Sequence, residues 1–429
     1  MQPSSTRASV PAPDAHAATT PVDRPAGDDR HRPGGRDFRR ANLALFAAGI
    51  ATFVLLYSTQ GLLPVLSDDL GLTPDQASWT ASAATLGLAL GLLPASALSD
   101  RYGRTAVMTA STLAASALAL ALPFAPDLTT LVALRVLQGA ALAGLPATAM
   151  AYLAEEVHPS ALASAMGLYV AGNSIGGMGG RLVSGWTAAA LGWRWGLAAS
   201  AALALLATLA FRLLIPAARH FTPAPVDARA LARTVGRHLR NPLLLRLYAL
   251  GLLFMAVFGA VYNTVGYRLI GAPFHLPESV AASIFVVYLV GTGTSAAAGR
   301  LCGRLGRRGA LYAAIGVTAA GLLLSLAESL VCALLGLVLI TAGFFAGHAT
   351  ASSAVGRTAT EGRAQASALY LIAYYLGNSL GGTLGADAYH ATGWPGAATV
   401  GLTAMTLAAA VTLYATHQAH TTRRAVADA

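Results

Sequence analysis

Residues 172–180 read GNSIGGMGG, and residues 377–385 read GNSLGGTLG, the same glycine-crowded nonapeptide 205 positions later (377 minus 172). Glycine runs can cradle phosphate, because backbone N–H groups then approach an anion closely. Neither copy has the Gly-Lys-Ser/Thr ending of a phosphate loop or a GxGxxG spacing, and both lie among apolar runs of helix length. The glycines need another reading, and it comes from what surrounds them.

Of the 429 residues, 11% are charged and 55% hydrophobic, with a mean hydropathy of +0.59. A soluble domain is nearer ~25% charged. Apolar stretches of about 20 residues, each long enough to cross a hydrocarbon core as a helix, recur from Ala41 to the C-terminal tail. The chain reads as an all-α membrane protein of twelve transmembrane helices, at 42–65, 77–97, 106–124, 130–153, 162–186, 193–215, 243–268, 279–299, 309–327, 330–354, 365–387 and 395–416.

A net charge of +10 would suggest nucleic acid for a soluble protein, but its placement argues for a membrane. All 28 basic residues are arginine, and they cluster at Arg24–Arg40, Arg101 and Arg104, Arg219–Arg240, Arg300–Arg308, Arg357 and Arg363, and Arg423 and Arg424. In a twelve-span topology these sites share one face, which the positive-inside rule assigns to the cytoplasm together with both termini. The opposite loops carry Asp68, Asp69, Asp75, Asp127, Glu278 and Glu328, and the five tryptophans (79, 186, 193, 195 and 394) sit at that outer interface as an aromatic belt. Residues 1–40 read as a disordered cytoplasmic tail with no cleavable apolar segment, 417–429 as a second tail. Cys302 and Cys332 fall on opposite faces, so no intrachain disulfide is expected. The arginine-only, alanine-rich composition points to a GC-rich bacterium, and hence to a multi-pass protein of its plasma (inner) membrane.

The basic segment 216–242 divides the spans into a bundle at 41–215 and another at 243–416. The nonapeptides occupy equivalent spans, 5 and 11. The same offset relates Tyr57, Thr59 and Gly61 to Tyr262, Thr264 and Gly266, and an offset of 203 (304 minus 101) relates Arg101, Gly103 and Arg104 to Arg304, Gly306 and Arg307. Two pseudo-symmetric six-helix bundles follow, the signature of a transporter built from repeats around a central site. Gly172, Gly176 and Gly180, like Gly377, Gly381 and Gly385, are spaced i, i+4, i+8 and form a smooth groove on one helix face. That groove is either a fixed packing seam or part of a moving interface between the halves.

These residues resemble the major facilitator superfamily, in particular its twelve-helix drug:proton antiporter-like branch of bacterial efflux permeases. Asp100-Arg101-Tyr102-Gly103-Arg104, preceded by Gly87, is similar to the superfamily's cytoplasmic loop signature, with Ser96 for its second glycine and Thr105 for its last basic residue. Arg135-Val-Leu-Gln138-Gly139 is similar to the span 4 signature RxxQG. GNSIGG is similar to the span 5 antiporter signature GPxxGG, with Asn173 in place of proline. The resemblance covers residues 40–416 and implies alternating access, in which the halves rock about a midplane cavity lined mainly by spans 1, 4, 7 and 10. It further implies that Asp100 and the loop arginines lock the cytoplasmic side in one state. A carboxylate there could cap the N-terminal end of span 11; the second copy has Gly303 instead of an acid, so the latch is asymmetric.

Arg135 lies within an apolar span, where a charge costs ~2.5–3.5 kcal/mol, and should face a cavity or a partner. In similar antiporters the matching arginine serves proton coupling or substrate binding; the alternative is a hydrogen bond to neighbouring helix carbonyls. Gln138 extends its polar face. Tyr57 and Gln60 of span 1, and Tyr262 and Asn263 of span 7, are candidates for substrate contact or an outer gate. Asn173 and Asn378 repeat at matching positions, and His348 of span 10 is either a group titrating near physiological pH or a packing residue. Arg181 and Asp387 lie at similar depths and are expected to pair across the halves. Span 1 holds no acid, and Glu155 and Glu156 stand at the end of span 4, so proton coupling lacks an evident carboxylate.

The expected function is secondary active transport of a small organic solute, as proton-coupled efflux. The alternatives are an importer or facilitator of the same fold and, further off, a transporter-like receptor. Partners are the lipid bilayer, the solute and protons, with the chain a monomer. No cofactor, metal or nucleic acid is implied, and no HExxH, GxSxG or clustered His/Asp set points to an enzyme.

Overall fold

The computed structural model describes residues 30–32, 34–223 and 227–427. Residues 1–29 of the expected N-terminal tail lie outside them. Hydrocarbon offers no hydrogen bonds, so a spanning chain must satisfy its backbone within helices, and the described residues are built almost wholly of helix. The first rod is α1 (Arg36–Tyr57) and α2 (Leu63–Leu70), joined through a 3₁₀ turn at Gln60–Leu62. α3 (Pro74–Tyr102), α4 (Arg104–Ala121), the pair α5 (Leu128–Leu142) and α6 (Gly144–Glu156), α7 (Pro159–Leu191) and α8 (Trp193–Leu214) complete the first six. The linker contains one helix, α9 (Ala228–Leu239). The second six begin with α10 (Pro242–Ile270); α11 (Glu278–Ala282) then leads through a 3₁₀ segment into α12 (Tyr288–Leu324), followed by α13 (Leu330–Thr358), α14 (Arg363–Thr392) and α15 (Trp394–Ala427).

α12 breaks at Gly306 into two rods, which brings the total to twelve. Among the described residues, nine stretches are long and apolar enough to cross a membrane, with Glu278–Leu324 counted as one. α7 and α14, which carry the nonapeptides, are not among the nine, because their glycines and asparagines dilute the hydropathy. Helix starts are conventional: Thr73 and Gln76 form a capping box at α3, while Asp127 and Asn241 accept backbone N–H bonds at α5 and α10. Spans 1 and 4 are interrupted, at 58–62 and at Ala143, where the periodicity suggested single helices.

Gly103 (φ +99°) and Gly306 (φ +69°) both adopt left-handed backbone, at matching corners after the second helix of each half. The duplicated loop therefore keeps glycine for a steric reason. Three tryptophans, Trp79, Trp186 and Trp195, are exposed as a belt residue should be, whereas Trp193 and Trp394 are buried. Trp394 instead donates to Ser325 Oγ and lies under the Arg268 guanidinium. Both cysteines are free.

The glycine seams belong to the interiors of the halves. α7 lies along α1, where a Cβ on Gly172, Gly176 or Gly180 would meet Phe46 O at 2.5 Å, Ile50 Cα at 2.7 Å or Val54 O at 2.5 Å. α14 lies along α10, and a Cβ on Gly377, Gly381 or Gly385 would overlap Leu252, Ala256 or Ala260. The expected alternative of a seam between moving halves does not hold for these six residues: they lock helix to helix within each bundle. The mid-membrane contact between halves is made by α3 and α14, through Ser82 Oγ to Ser379 O (3.2 Å) and Asn378 Nδ2 to Thr85 Oγ1 (3.2 Å).

Gly381→Ala should lower stability by about 1–3 kcal/mol, because the methyl group must displace backbone. Gly179→Ala, with open space around it, should leave the unfolding temperature in detergent unchanged or slightly raised. Equal melting temperatures for the two variants would contradict the seam.

Candidate functional site

The break in the first rod deprives the last carbonyls of α1 of the i+4 N–H partners a continuous helix supplies, leaving Leu55 O with only the Ser58 N–H and hydroxyl, a deficit lipid cannot make good. Arg135 of α5 resolves it. Its Nη1 donates to Leu55 O (2.7 Å) and to Gln138 Oε1 (2.6 Å), its Nη2 to Leu56 O (2.6 Å), and its Nε to Thr80 O of α3 (2.9 Å). Gln138 in turn donates to Ala115 O of α4. Both side chains are fully buried inside the first bundle, away from the cavity. The expectation of a cavity-facing Arg135 is thus corrected: its nitrogens are consumed by carbonyls of α1 and α3 and by Gln138 on its own helix, and it acts as a staple.

The stapled turn presents Tyr57 and Gln60 toward the second half. Gln60 Nε2 donates to Asn263 Oδ1 of α10 at 2.5 Å, and Gln60 Oε1 accepts from Arg181 Nε of α7 at 2.5 Å. Tyr267 of α10 donates to Leu63 O (3.0 Å) and shares a hydrogen bond with Ser67 (2.6 Å), while Trp186 Nε1 reaches Ser279 O and Ser283 Oγ. The Gln60–Asn263, Tyr267 and Trp186 bridges cross between the halves on the side where the exposed tryptophans lie and close that side, while Gln60–Arg181 stays within the first half.

Beneath these bridges lies a cavity of about 670 Å³, within the ~300–1,000 Å³ of small-molecule sites. It is walled by both halves and extends to Met150, Met166 and Ser352 in the arginine-side parts of α6, α7 and α13. Its walls are aromatic: Phe258 stacks on Phe344 (4.0 Å between centroids), and His348 lies 4.6 Å from the Tyr374 ring. Among the described residues, no Asp or Glu lines it.

Of the predicted site residues, Tyr57, Asn173 and His348 line the cavity, and Gln60 and Asn263 are bonded to each other across the halves. Tyr262 turns into the second bundle, where its hydroxyl bonds with Thr341 (2.5 Å). The two duplicated asparagines part company: Asn173 faces the cavity, and Asn378 bonds across to α3. His348 Nδ1 shares a hydrogen bond with the Tyr370 hydroxyl at 2.9 Å.

On the arginine side, Arg104 pairs with Asp100 and with Glu155 (2.9 Å), and it donates to Ser99 Oγ. Arg101 lies over the Tyr102 ring; Arg304 is exposed and Arg307 half-buried. The expected cap from Asp100 to span 11 is not made here: Asp100 is held by Arg104, and the side chain that bonds with the α14 N-cap residue, Gly362, is His238 (Nε2 with O, 3.1 Å). The expected Arg181–Asp387 pair is likewise absent: Asp387 is exposed, and Arg181 is buried against Tyr57 and Tyr288.

Sequence reading missed the aromatic wall and Glu156. This fully buried acid accepts from the Arg219 and His220 backbone N–H groups, both at 2.8 Å, and so pins the start of the linker. The i, i+4 spacing of Tyr370 with Tyr374 and of Phe344 with His348 was the available signal for the wall.

The Major Facilitator Superfamily family model matches residues 43–382. The chain belongs to that superfamily. It is 41% identical over 365 residues to the uncharacterized MFS-type transporter YybF of Bacillus subtilis, covering 85% of this chain and 90% of the relative. It is 42% identical over 363 residues to the inner membrane transport protein YnfM of Escherichia coli, covering 85% and 87%. The fold matches the crystal structure of a bacterial homologue of the human lysosomal transporter Spinster in an inward-facing, occupied conformation, with TM-score 0.72, 17% identity and 89% and 97% coverage. This superfamily protein is therefore a multi-pass membrane transporter.

Arg135→Ala would remove the bonds to Leu55 O, Leu56 O, Thr80 O and Gln138 Oε1 and leave a buried void, and should cost on the order of 3 kcal/mol or more. Arg135→Lys, a point charge without the planar fork, should recover only part. Thermal unfolding of detergent-purified protein checks this; an Arg135→Ala protein that melts like the wild type would remove the staple from the account.

Proposed function

We propose that this transporter carries a small organic solute out of a bacterial cell by alternating access, in exchange for protons. One observation carries the reading: a cavity walled by both halves is sealed by polar bridges on the tryptophan side and reaches toward the arginine side. The positive-inside rule makes the arginine face cytoplasmic, so the conformation is the one that loads solute from the cytoplasm. In this reading 41–215 and 243–416 are the rocking bundles, and 216–242 is the cytoplasmic linker between them. Asp100, Arg101, Gly103 and Arg104, with Arg304, Gly306 and Arg307, belong to a latch that engages when the cytoplasmic side closes.

A proton carrier must titrate within reach of the cavity. The cavity wall contains no carboxylate, and His348 is the side chain there suited to the task. An importer or facilitator of the same fold would share the cavity but would not require His348 to exchange a proton.

In energised everted vesicles with an internal pH dye, addition of a transported solute should release protons. His348→Asn should abolish at least 90% of that release while retaining solute binding. Solute movement without any pH change would favour the facilitator. The gate has its own check in a background lacking Cys302 and Cys332. A Gln60→Cys/Asn263→Cys pair should cross-link readily, and oxidation should stop transport until a reductant is added. Full transport by the cross-linked protein would contradict a gate at this position.

A further inference from the structure

We propose that Arg181 binds the anionic group of the transported solute, and that the solute is a flat aromatic organic anion, in its simplest form a carboxylate. The inference rests on the transporter reading above and names the solute class for the same cavity.

Two arginines are fully buried in the first bundle, and their surroundings differ in kind. Arg135 spends all three guanidinium nitrogens on protein acceptors. Arg181 donates Nε to Gln60 and Nη1 to Gly177 O (2.7 Å), but its buried Nη2 has no partner among the described residues. None of the ion pairs described involves it. In place of a carboxylate, the Tyr57 ring lies 3.8 Å and the Tyr288 ring 4.5 Å from its Cζ. The Tyr288 hydroxyl is a second buried donor left without a partner. One guanidinium nitrogen and one hydroxyl, unpartnered among the described residues and carried by two side chains in contact, offer a donor to each oxygen of one carboxylate.

Both tyrosines line the cavity, and so does Gly177. Asn173, Gly177 and Arg181 follow one another at i, i+4, i+8 along one face of α7, which leads from the cavity wall up to the guanidinium. A Cβ at position 177 would come within 3.3 Å of Arg181 Nη1 and 3.6 Å of the Tyr57 ring. Glycine there leaves room for a solute group to approach the cation. Below it the wall offers aromatic faces, Phe258, Phe345, His348 and Tyr374 among them, on which a flat ring can stack. The wall holds no acid to neutralise a cationic solute. Arg181 is also hydrogen-bonded to Gln60 of the gate, so an anion that draws Nη2 toward the cavity acts directly on the group that seals the opposite side.

Binding of three probes of one shape to purified full-length protein, measured by isothermal titration calorimetry, tests this: 2-naphthoate, 2-naphthamide and 2-naphthylmethylamine. The wild type should bind naphthoate at least tenfold more tightly than the amide and the amine least. Arg181→Gln should weaken naphthoate at least tenfold and leave the amide within twofold, and Arg181→Lys should fall between. A thermal transition confirms that each variant is folded; if Arg181→Gln is not, Arg181→Lys and the wild-type preference among the probes decide the matter. Unchanged naphthoate binding by Arg181→Gln, a wild-type preference for the amide or amine, or binding of none of the three would overturn the proposal. The reciprocal opening of the two sides of the bundle is measured without these probes. A protein that alternates but shows no anion preference therefore refutes this inference alone, and one that binds naphthoate without alternating refutes the transport reading.

Discussion

A helix broken inside a bilayer must find new partners for the carbonyls it frees, and in this protein one guanidinium supplies them. Arg135 gathers Leu55 and Leu56 of α1 and Thr80 of α3 around a single side chain, at a position where an unpaired charge would cost ~2.5–3.5 kcal/mol. Neither defect would be stable alone. Together they fix the bend that delivers Tyr57 to the cavity and Gln60 to Asn263 of the other half, so the geometry of the site descends from this one arrangement. Glycine seams do the remaining work by holding α1 to α7 and α10 to α14 in close backbone contact.

The division of labour between the duplicated halves follows from small departures in sequence. Asn173 and Asn378 occupy matching places, yet one faces the cavity and the other bonds to α3. Tyr57 looks into the cavity while Tyr262 bonds to Thr341 inside its own bundle. The loop after α3 has an acid that holds Arg104, and its repeat has Gly303. A duplicated scaffold carries an asymmetric site because the two halves diverged at the positions facing the midline.

Much of the architecture was legible in the sequence, since span length, arginine placement and the repeated nonapeptides all report on backbone and lipid, which act locally. The site was less so. Arg135 reads as a functional charge because sequence shows its depth and not its rotation; only the fold reveals that three helices surround it. Arg181 was seen, but it was assigned to Asp387, an equal-depth partner that points away. Gln60 and Asn263 were named as candidates for substrate contact or an outer gate because both fall near one end of their spans, a fact that helix rotation does not alter, and the structure joins them by a hydrogen bond. Glu156 and the aromatic wall depend on tertiary proximity, for which a single chain offers little signal beyond the i, i+4 pairs.

The account depends on two halves that open on one side as they close on the other. Spin labels at Asp69 and Glu328 would report the distance across the tryptophan side, and labels at Tyr102 and Thr360 the distance across the arginine side. On lowering the pH or adding solute, double electron–electron resonance should show the first distance lengthen while the second shortens. Two distances that stay fixed, or that lengthen together, would contradict alternating access about this cavity.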